Sequence, residues 1–330
     1  MLSGVIVAGQ NGKVIYQKAF GFANNDTKKI NSISSEFLLA SITKTYTATA
    51  ILLLAQKGYI NLQKPVSTYL PATHPVWQGK MPESMKQVTI HHLLTHSSGL
   101  PDYEKIAGHT EWYKKLHSPQ EVIQFFAQAP QSFIPGAHYD YQGSNYLLLG
   151  LIIETITDKS YETFLQEQLF KPLKLSHTFA FTNTFLSDIQ KKLHNLASGY
   201  RLDRKTKQLQ PAQEINMSVD YAESSIISNA LDLFTFIHNL FSNKIINAEM
   251  VQKMTTSYLT TSYEAGVGYG VYIDNSLGYI IFNHPGKIDG YESIFLYEPQ
   301  KKITVIILSN VMGSNIFPLA YELIDSIHAN

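Results

Sequence analysis

Ser41 and Lys44 stand three residues apart with the serine first, and that spacing occurs nowhere else in the 330 residues. On a helix, residues three apart share a face, so the Lys44 amine can lie beside the Ser41 hydroxyl. A serine hydroxyl is a poor nucleophile until a neighbouring base takes its proton. A lysine can serve if burial and the positive end of a helix lower its pKa toward neutrality. The same helix start offers the Ser41 backbone N–H to a developing oxyanion. The pair therefore suggests acyl transfer. Spacing alone does not separate this from an ordinary N-cap serine with an exposed lysine, because a chain of this length holds roughly one such pair by chance.

The surrounding pattern predicts how the pair is held. An apolar approach over residues 37–40 leads to Ser41, and an apolar stretch over 43–56 closes at Gly58, a natural C-cap. A buried helix with Ser41 in its first turn is expected. Upstream, residues 4–8 and 14–20 flank Asn11-Gly12, a dipeptide suited to a tight hairpin turn. From about 62 to 232 the pattern changes to helices with polar connections, around 93–95, 146–157 and 161–170. Residues 268–274, 279–284, 293–297 and 303–308 have strand character, and 316–326 reads as a closing helix. Strands at both ends must pair. The expectation is one α/β (α+β) domain over 1–330, an antiparallel sheet flanked by helices. Its sheet lobe takes about 1–61 and 233–330, a mostly helical lobe of about 62–232 is inserted, and a cleft lies where they meet.

Ser41-Ile42-Thr43-Lys44 resembles the first motif of class C β-lactamases, D-alanyl-D-alanine carboxypeptidases and penicillin-recognising esterases. Residues 89–103, TIHHLLTHSSGLPDY, look like a stretch characteristic of that family. Pro135-Gly136 through Tyr141 to Gly150 resembles its second motif, and His284-Pro285-Gly286 its third. The resemblance runs from the first hairpin to Ser309-Asn310, nearly the whole chain. It implies a β-lactamase/transpeptidase-like fold and a serine hydrolase that cleaves an ester or amide through an acyl-enzyme on Ser41. By position, Lys44 would accept or relay the Ser41 proton and Tyr141 would protonate the leaving group. His284, where many relatives have lysine, would hold the proton network and the substrate. The backbone N–H groups of Ser41 and Lys287 would hold the oxyanion, with Gly286 permitting close approach. Gly143, Asn145, Pro285, Gly286 and Lys287 are the positions expected against substrate.

Two positions depart from the family pattern. Relatives usually read Tyr-x-Asn at the second motif, whereas this chain reads Tyr141-Gln142-Gly143. The amide that grips a substrate's acyl side-chain carbonyl is therefore missing, and Asn145, two residues on, occupies a different family position. Pro285 replaces a frequent hydroxyl residue and donates no hydrogen bond, and Lys287 is a less directional substitute for holding a carboxylate. These losses weaken β-lactam and D-alanyl-D-alanine recognition more than acyl transfer itself, and point to an esterase or a peptidase of altered specificity. The alternative is a penicillin-binding or sensor module that does not turn its ligand over. The implied partner is a small-molecule or peptidoglycan-like acyl substrate. The resemblance also implies a periplasmic or secreted protein, although residues 1–8 lack a basic n-region and a cleavage site and read as a strand.

Composition narrows the remaining classes. The chain is 44% hydrophobic and 12% aromatic, and its 16% of charged residues is low for a soluble domain. Lys plus Arg equals Asp plus Glu at 26 each, so no field gathers nucleic acid or anionic lipid. The longest apolar run, 48–55, is too short to span a membrane. There is no cysteine, which removes disulfides and thiol nucleophiles. His91, His92 and His96 could meet on one helix face, but without HExxH they read as structural, and no metal or cofactor is expected. Gly266, Gly268 and Gly270 lack dinucleotide-binding context, and neither a GxSxG elbow nor a phosphate loop occurs. Tyr139 and Tyr146 read as wall or core aromatics, and the twenty tyrosines suit a cleft for an amphipathic acyl substrate. An unrelated Ser-His-Asp arrangement would have to use His284 and Asp289. Oligomeric state is not readable.

Overall fold

The hairpin at Asn11-Gly12 forms with both residues at positive φ, 52° and 76°, as a two-residue turn between right-twisted strands requires. It joins β1 (Gly4–Gln10) to β2 (Lys13–Phe20). This computed structural model describes residues 2–203, 205–206 and 208–329; Met1, where the N-terminal strand reading began, Arg204, Lys207 and Asn330 lie outside the description. Next come β3 (Glu36–Leu38), a 3₁₀ turn (Ala40–Ile42) and α1 (Thr43–Gln56), which closes at Gly58 with φ 79°. The middle of the chain supplies α2 (Ile90–Leu94), α3 (Gly143–Thr157), α4 (Met217–Ser224), β4 (Ile226–Asn229) and α5 (Ala230–Phe241). The last third supplies β5 (Leu259–Thr260), β6 (Gly266–Val267), β7 (Tyr272–Asp274), β8 (Ile281–Ile288), β9 (Tyr291–Glu298), β10 (Ile303–Ser309) and α6 (Ile316–His328).

Strands from both ends of the chain make one antiparallel sheet of order β5-β6-β7-β8-β9-β10-β1-β2, with Val7 opposite Ile306. Alternation along β1 divides its side chains between two cores. Val5 and Val7 join α1, α5 and the middle of the chain, and Ile6 and Ala8 join Ile316, Ala320 and Ile324 of α6. The fold is mixed α/β, with helices against an antiparallel sheet, as the sequence resemblance implies. Within α1, residues 43–54 are all buried, so this helix lies inside the protein rather than on it.

Three local differences from the sequence expectation have physical reasons. Ser41 lies in the 3₁₀ turn, just ahead of α1. The run 268–274 is broken by a turn at Gly270 (φ 67°), which leaves the short β6 and β7. The middle segment also contains strands, among them Phe179–Ala180, which pairs with β4 as β3 does; two to four residues are too few for a period to register. β8 runs past Pro285 to Ile288, but β7 pairs with it only over 281–283, so residues 284–288 form an open edge beside the Ser41 turn. Among the described residues, no helix is long and apolar enough to cross a membrane.

Candidate active site

The turn that carries Ser41 is held from two sides. Ala40 has φ 51°, a left-handed conformation that costs a non-glycine residue about 1 kcal/mol or more. It persists because the Ser293 hydroxyl donates to the Leu39 carbonyl at 2.7 Å and because Gly286 lets β8 lie against the same carbonyl. A β-carbon at 286 would stand 2.3 Å from Leu39 O and 2.2 Å from Ser293 Oγ. Gly286 is thus one of the points where the sheet touches the Ser41 turn.

Lys44 is wholly buried, and its Nζ lies 3.1 Å from Ser41 Oγ. The other two ammonium protons go to Glu223, one to its backbone carbonyl at 3.2 Å and one to Oε2 at 2.9 Å. Burial by itself lowers the Lys44 pKa. The Glu223 carboxylate, the neighbouring Tyr141 phenol and hydrogen bonds to both outweigh it, and the net shift is upward. The sequence reading required a lysine tuned toward neutrality; the Glu223 contacts instead favour the ammonium form of Lys44.

Glu223 is brought there by a bend in α4. Tyr221 has φ 27° and ψ −127°, strained values for an aromatic residue, and the chain beyond it turns both the carbonyl and the carboxylate of Glu223 toward Lys44. Glu223 Oε1 accepts from the Tyr103 phenol at 2.5 Å. Gly143 and Gly150, two turns apart on α3, allow this segment to approach. A β-carbon at 150 would meet that of Ala222 at 2.4 Å, and one at 143 would stand 2.4 Å from Glu223 Oε2. Where the second motif lacks a side chain, the Glu223 carboxylate fills the space.

The Tyr141 ring lies 4.9 Å from Lys44 Nζ and 4.4 Å from the His96 ring. His284, on β8, is buried, with Nδ1 2.7 Å from the Pro285 carbonyl. A carbonyl only accepts, so Nδ1 carries the proton and Nε2 is the acceptor. Burial first, and the Lys44 charge second, push the His284 pKa down to about 3 against the Pro285 hydrogen bond. Pro285 has no N–H and fits a strand only where an N–H would face the open edge. Strand alternation then aims the Lys287 N–H, two residues on, at the same edge.

Ser41, Tyr141 and Lys287 line two cavities of contrasting character. One, of about 590 Å³, is also walled by Gly143, Glu223, Asp220 and Glu104. The other, of about 690 Å³, is walled by Tyr139, Tyr272, Tyr263, Phe317, Pro285 and His284. The remaining sequence candidates lie elsewhere. Asn145 is buried, bonded to Ser98, His96 and the Gln142 carbonyl, and does not reach the cleft. Asp289 is held by Arg201, and the His284 Nδ1 proton is given to Pro285, so no Ser-His-Asp array forms. His91 bonds Tyr269, His92 closes the Thr89 capping box of α2, and His96 accepts from the Gln142 N–H.

The pattern of the beta-lactamase family matches residues 1–329. This chain belongs to the beta-lactamase family. Within it, the chain is 28% identical over 308 residues to Protein flp of Staphylococcus aureus, covering 93% of this chain but 59% of that protein. Against the putative penicillin-binding protein PbpX of Bacillus subtilis, identity is 28% over 312 residues, 94% of this chain and 71% of the relative. Among solved structures, the octameric penicillin-binding protein homologue from Pyrococcus abyssi aligns with TM-score 0.85 at 28% identity, over 100% of this chain and 74% of that one. D-amino acid amidase from Ochrobactrum anthropi SV3 shares the fold, with TM-score 0.82 at 21% identity over 100% and 95% of the two chains. The chain is thus a member of a β-lactamase-fold serine hydrolase family.

Sequence reasoning missed Glu223 and Tyr103, both far from Lys44 along the chain. The one available signal was negative: a glycine at 143, where the family has a side chain, leaves room for another group.

Proposed function

We propose that this chain is a serine hydrolase that cleaves an ester or amide through an acyl-enzyme on Ser41. The observation that carries the proposal is the 3.1 Å contact between Lys44 Nζ and Ser41 Oγ, made where Ser41 opens on both cavities. Ser41 Oγ attacks the carbonyl, its proton passes to the Lys44 side, and Tyr141 protonates the leaving group. The N–H groups of Ser41 and Lys287 hold the oxyanion, and neutral His284 accepts a hydrogen bond at the edge of the cleft. Neither Gly143 nor Pro285 gives a substrate a side-chain hydrogen bond, which favours simple esters and amides over penicillins and D-alanyl peptides.

Those same two positions support a second reading, a module that binds a penicillin-like ligand without turnover. Intact mass after mixing with a p-nitrophenyl ester and, separately, a fluorescent penicillin separates the two. Repeated turnover of the ester, with a transient adduct absent from Ser41→Ala, is the expected result. A stable penicillin adduct with no ester turnover favours the binding module, and an adduct that survives Ser41→Ala removes the nucleophile from both.

A further inference from the structure

The Lys44 ammonium presents a problem for the reaction just proposed. All three of its protons are already given to Ser41 Oγ, Glu223 O and Glu223 Oε2. A nitrogen with three protons and one carbon has no lone pair with which to take the serine proton. Something must first accept a proton from Lys44, and it must lie within hydrogen-bond reach.

We propose that Glu223 is that acceptor: its carboxylate takes a proton from Lys44 as Lys44 takes one from Ser41, making Glu223 the positioning residue that lets a buried ammonium act as a base. The proposal rests on the Ser41 acyl-enzyme reading and goes beyond it. At rest, Ser41 is a hydroxyl, Lys44 an ammonium and Glu223 a carboxylate. In the attack, a Lys44 Nζ–H proton moves to Glu223 Oε2, and the freed nitrogen lone pair takes the Ser41 proton. The Ser41 Oγ electron pair forms the new bond to the carbonyl carbon, and the carbonyl π pair moves onto oxygen. The result is an oxyanion, a Lys44 ammonium and a Glu223 carboxylic acid. When the intermediate collapses, the leaving group departs with its bonding pair and takes a proton from Lys44 by way of Tyr141. Lys44 recovers that proton from Glu223. Acyl-Ser41, a Lys44 ammonium and a Glu223 carboxylate remain, and the released group has gained the proton that Ser41 lost.

The surroundings of Glu223 favour an acceptor over a mere counter-charge. Oε1 is fixed by the Tyr103 hydroxyl, which leaves Oε2 aimed at Lys44. The other titratable groups around the carboxylate are Asp220 on α4, which accepts from the Tyr113 phenol, and Glu104 beside Tyr103. Burial, followed by the Glu223 charge, pushes the Asp220 carboxyl well up, and the same two causes in the same order raise Glu104. The pocket therefore resists a second negative charge next to Glu223. Around Lys44 stand Tyr141, Tyr146, His96 and His284, both histidines held well toward the neutral form by burial and then by the Lys44 charge. Among the described residues, no other carboxylate is bonded to Lys44.

Glu223→Gln tests the proposal because the two roles change the rate in opposite directions. The amide keeps the shape and can still accept from Lys44, but it cannot take a proton. On the proposal, the third Lys44 proton then has no acceptor, and the nitrogen keeps no lone pair for the Ser41 proton. If Glu223 only neutralised Lys44, the lysine would become a free amine and acylation near pH 7 would hold or rise. The proposal expects acylation of Ser41 by a p-nitrophenyl ester, followed by stopped-flow absorbance and intact mass, to fall roughly 10²- to 10⁴-fold. The loss should lie in kcat, with KM within about threefold. Glu223→Asp keeps a carboxylate one methylene shorter and should acylate faster than Glu223→Gln. A Glu223→Gln rate equal to or above the wild type, or Glu223→Asp slower than Glu223→Gln, overturns the proposal while labelled wild type and unlabelled Ser41→Ala leave the nucleophile in place. An adduct on Ser41→Ala, or none on the wild type, instead sinks the acyl-enzyme reading and this inference with it.

Discussion

Replacing Gly286 with alanine tests whether the open edge of β8 sets the position of Ser41. Gly286 has ordinary strand backbone, so the alanine suffers no conformational penalty of its own. The only obstacle is contact: the new β-carbon would lie 2.3 Å from the Leu39 carbonyl oxygen and 2.2 Å from Ser293 Oγ, well inside ordinary van der Waals separation. Ser293 Oγ can rotate away only by giving up its 2.7 Å hydrogen bond to that carbonyl. The Leu39 carbonyl is backbone, so the turn or the strand must move by roughly 1 Å, and a displacement of that size at a reacting group can cost about 10²-fold in rate. Overpacking of this kind costs about 1–3 kcal/mol of stability, and in a chain of this size the melting temperature should fall by a few degrees. The assay pairs thermal melting by circular dichroism with burst acylation by a p-nitrophenyl ester. A Gly286→Ala protein that melts and acylates like the wild type would refute the claim that this contact positions Ser41.

Lys44→Ala should abolish acylation and also destabilise the fold by about 3–5 kcal/mol, because it leaves the Glu223 carboxylate buried without its cation; an unchanged urea midpoint would show that Glu223 finds water or another partner. Tyr103→Phe removes the donor to Glu223 Oε1 and should cost about 1.5–3 kcal/mol in urea denaturation, and a neutral result would mean that the short contact carries no net energy. His284 has its pKa pushed down to about 3 in the fold, against 6.5 for the free side chain. The unfolded chain therefore binds more protons than the folded one between those values. The contribution of His284 is complete above about pH 6.5 and is lost as the pH falls toward 3. His284→Gln should flatten the acid side of a stability profile, and the wild-type rate between pH 8 and 5 should show no titration belonging to His284; identical stability profiles for the two proteins would contradict its neutral, buried state.

What the sequence made legible was local. The Asn-Gly turn, the α1 span from 43 to 56 and the 303–308 strand all follow from short-range pattern, and each forms within a residue or two of its expected limits. The Ser41–Lys44 contact is local too, since three residues on helical backbone place it. What was not legible depends on pairs far apart in the chain. Lys44 and Glu223 are separated by 179 positions, and nothing periodic marks a single glutamate near a bend. The Lys44 pKa could not be inferred without that partner, because burial and an adjacent carboxylate shift it in opposite directions. His284 shows the converse: its neutral state follows from burial, which no residue within a few positions of it announces.

The central sheet joins the first strand to the last, with β1 hydrogen-bonded to β10. Long-range closure of this kind gives a high contact order, so folding is slow and waits for distant segments to meet. During synthesis β1 and β2 emerge some three hundred residues before β10, and can make only a marginal hairpin until it arrives. Gly286 and Ser293, which pin the Ser41 turn, are also late to emerge. The Ser41 hydroxyl would therefore acquire its geometry only once β10 has emerged, and a chain cut short before residue 303 would carry every residue of the Ser41, Lys44 and Glu223 array without being able to assemble it.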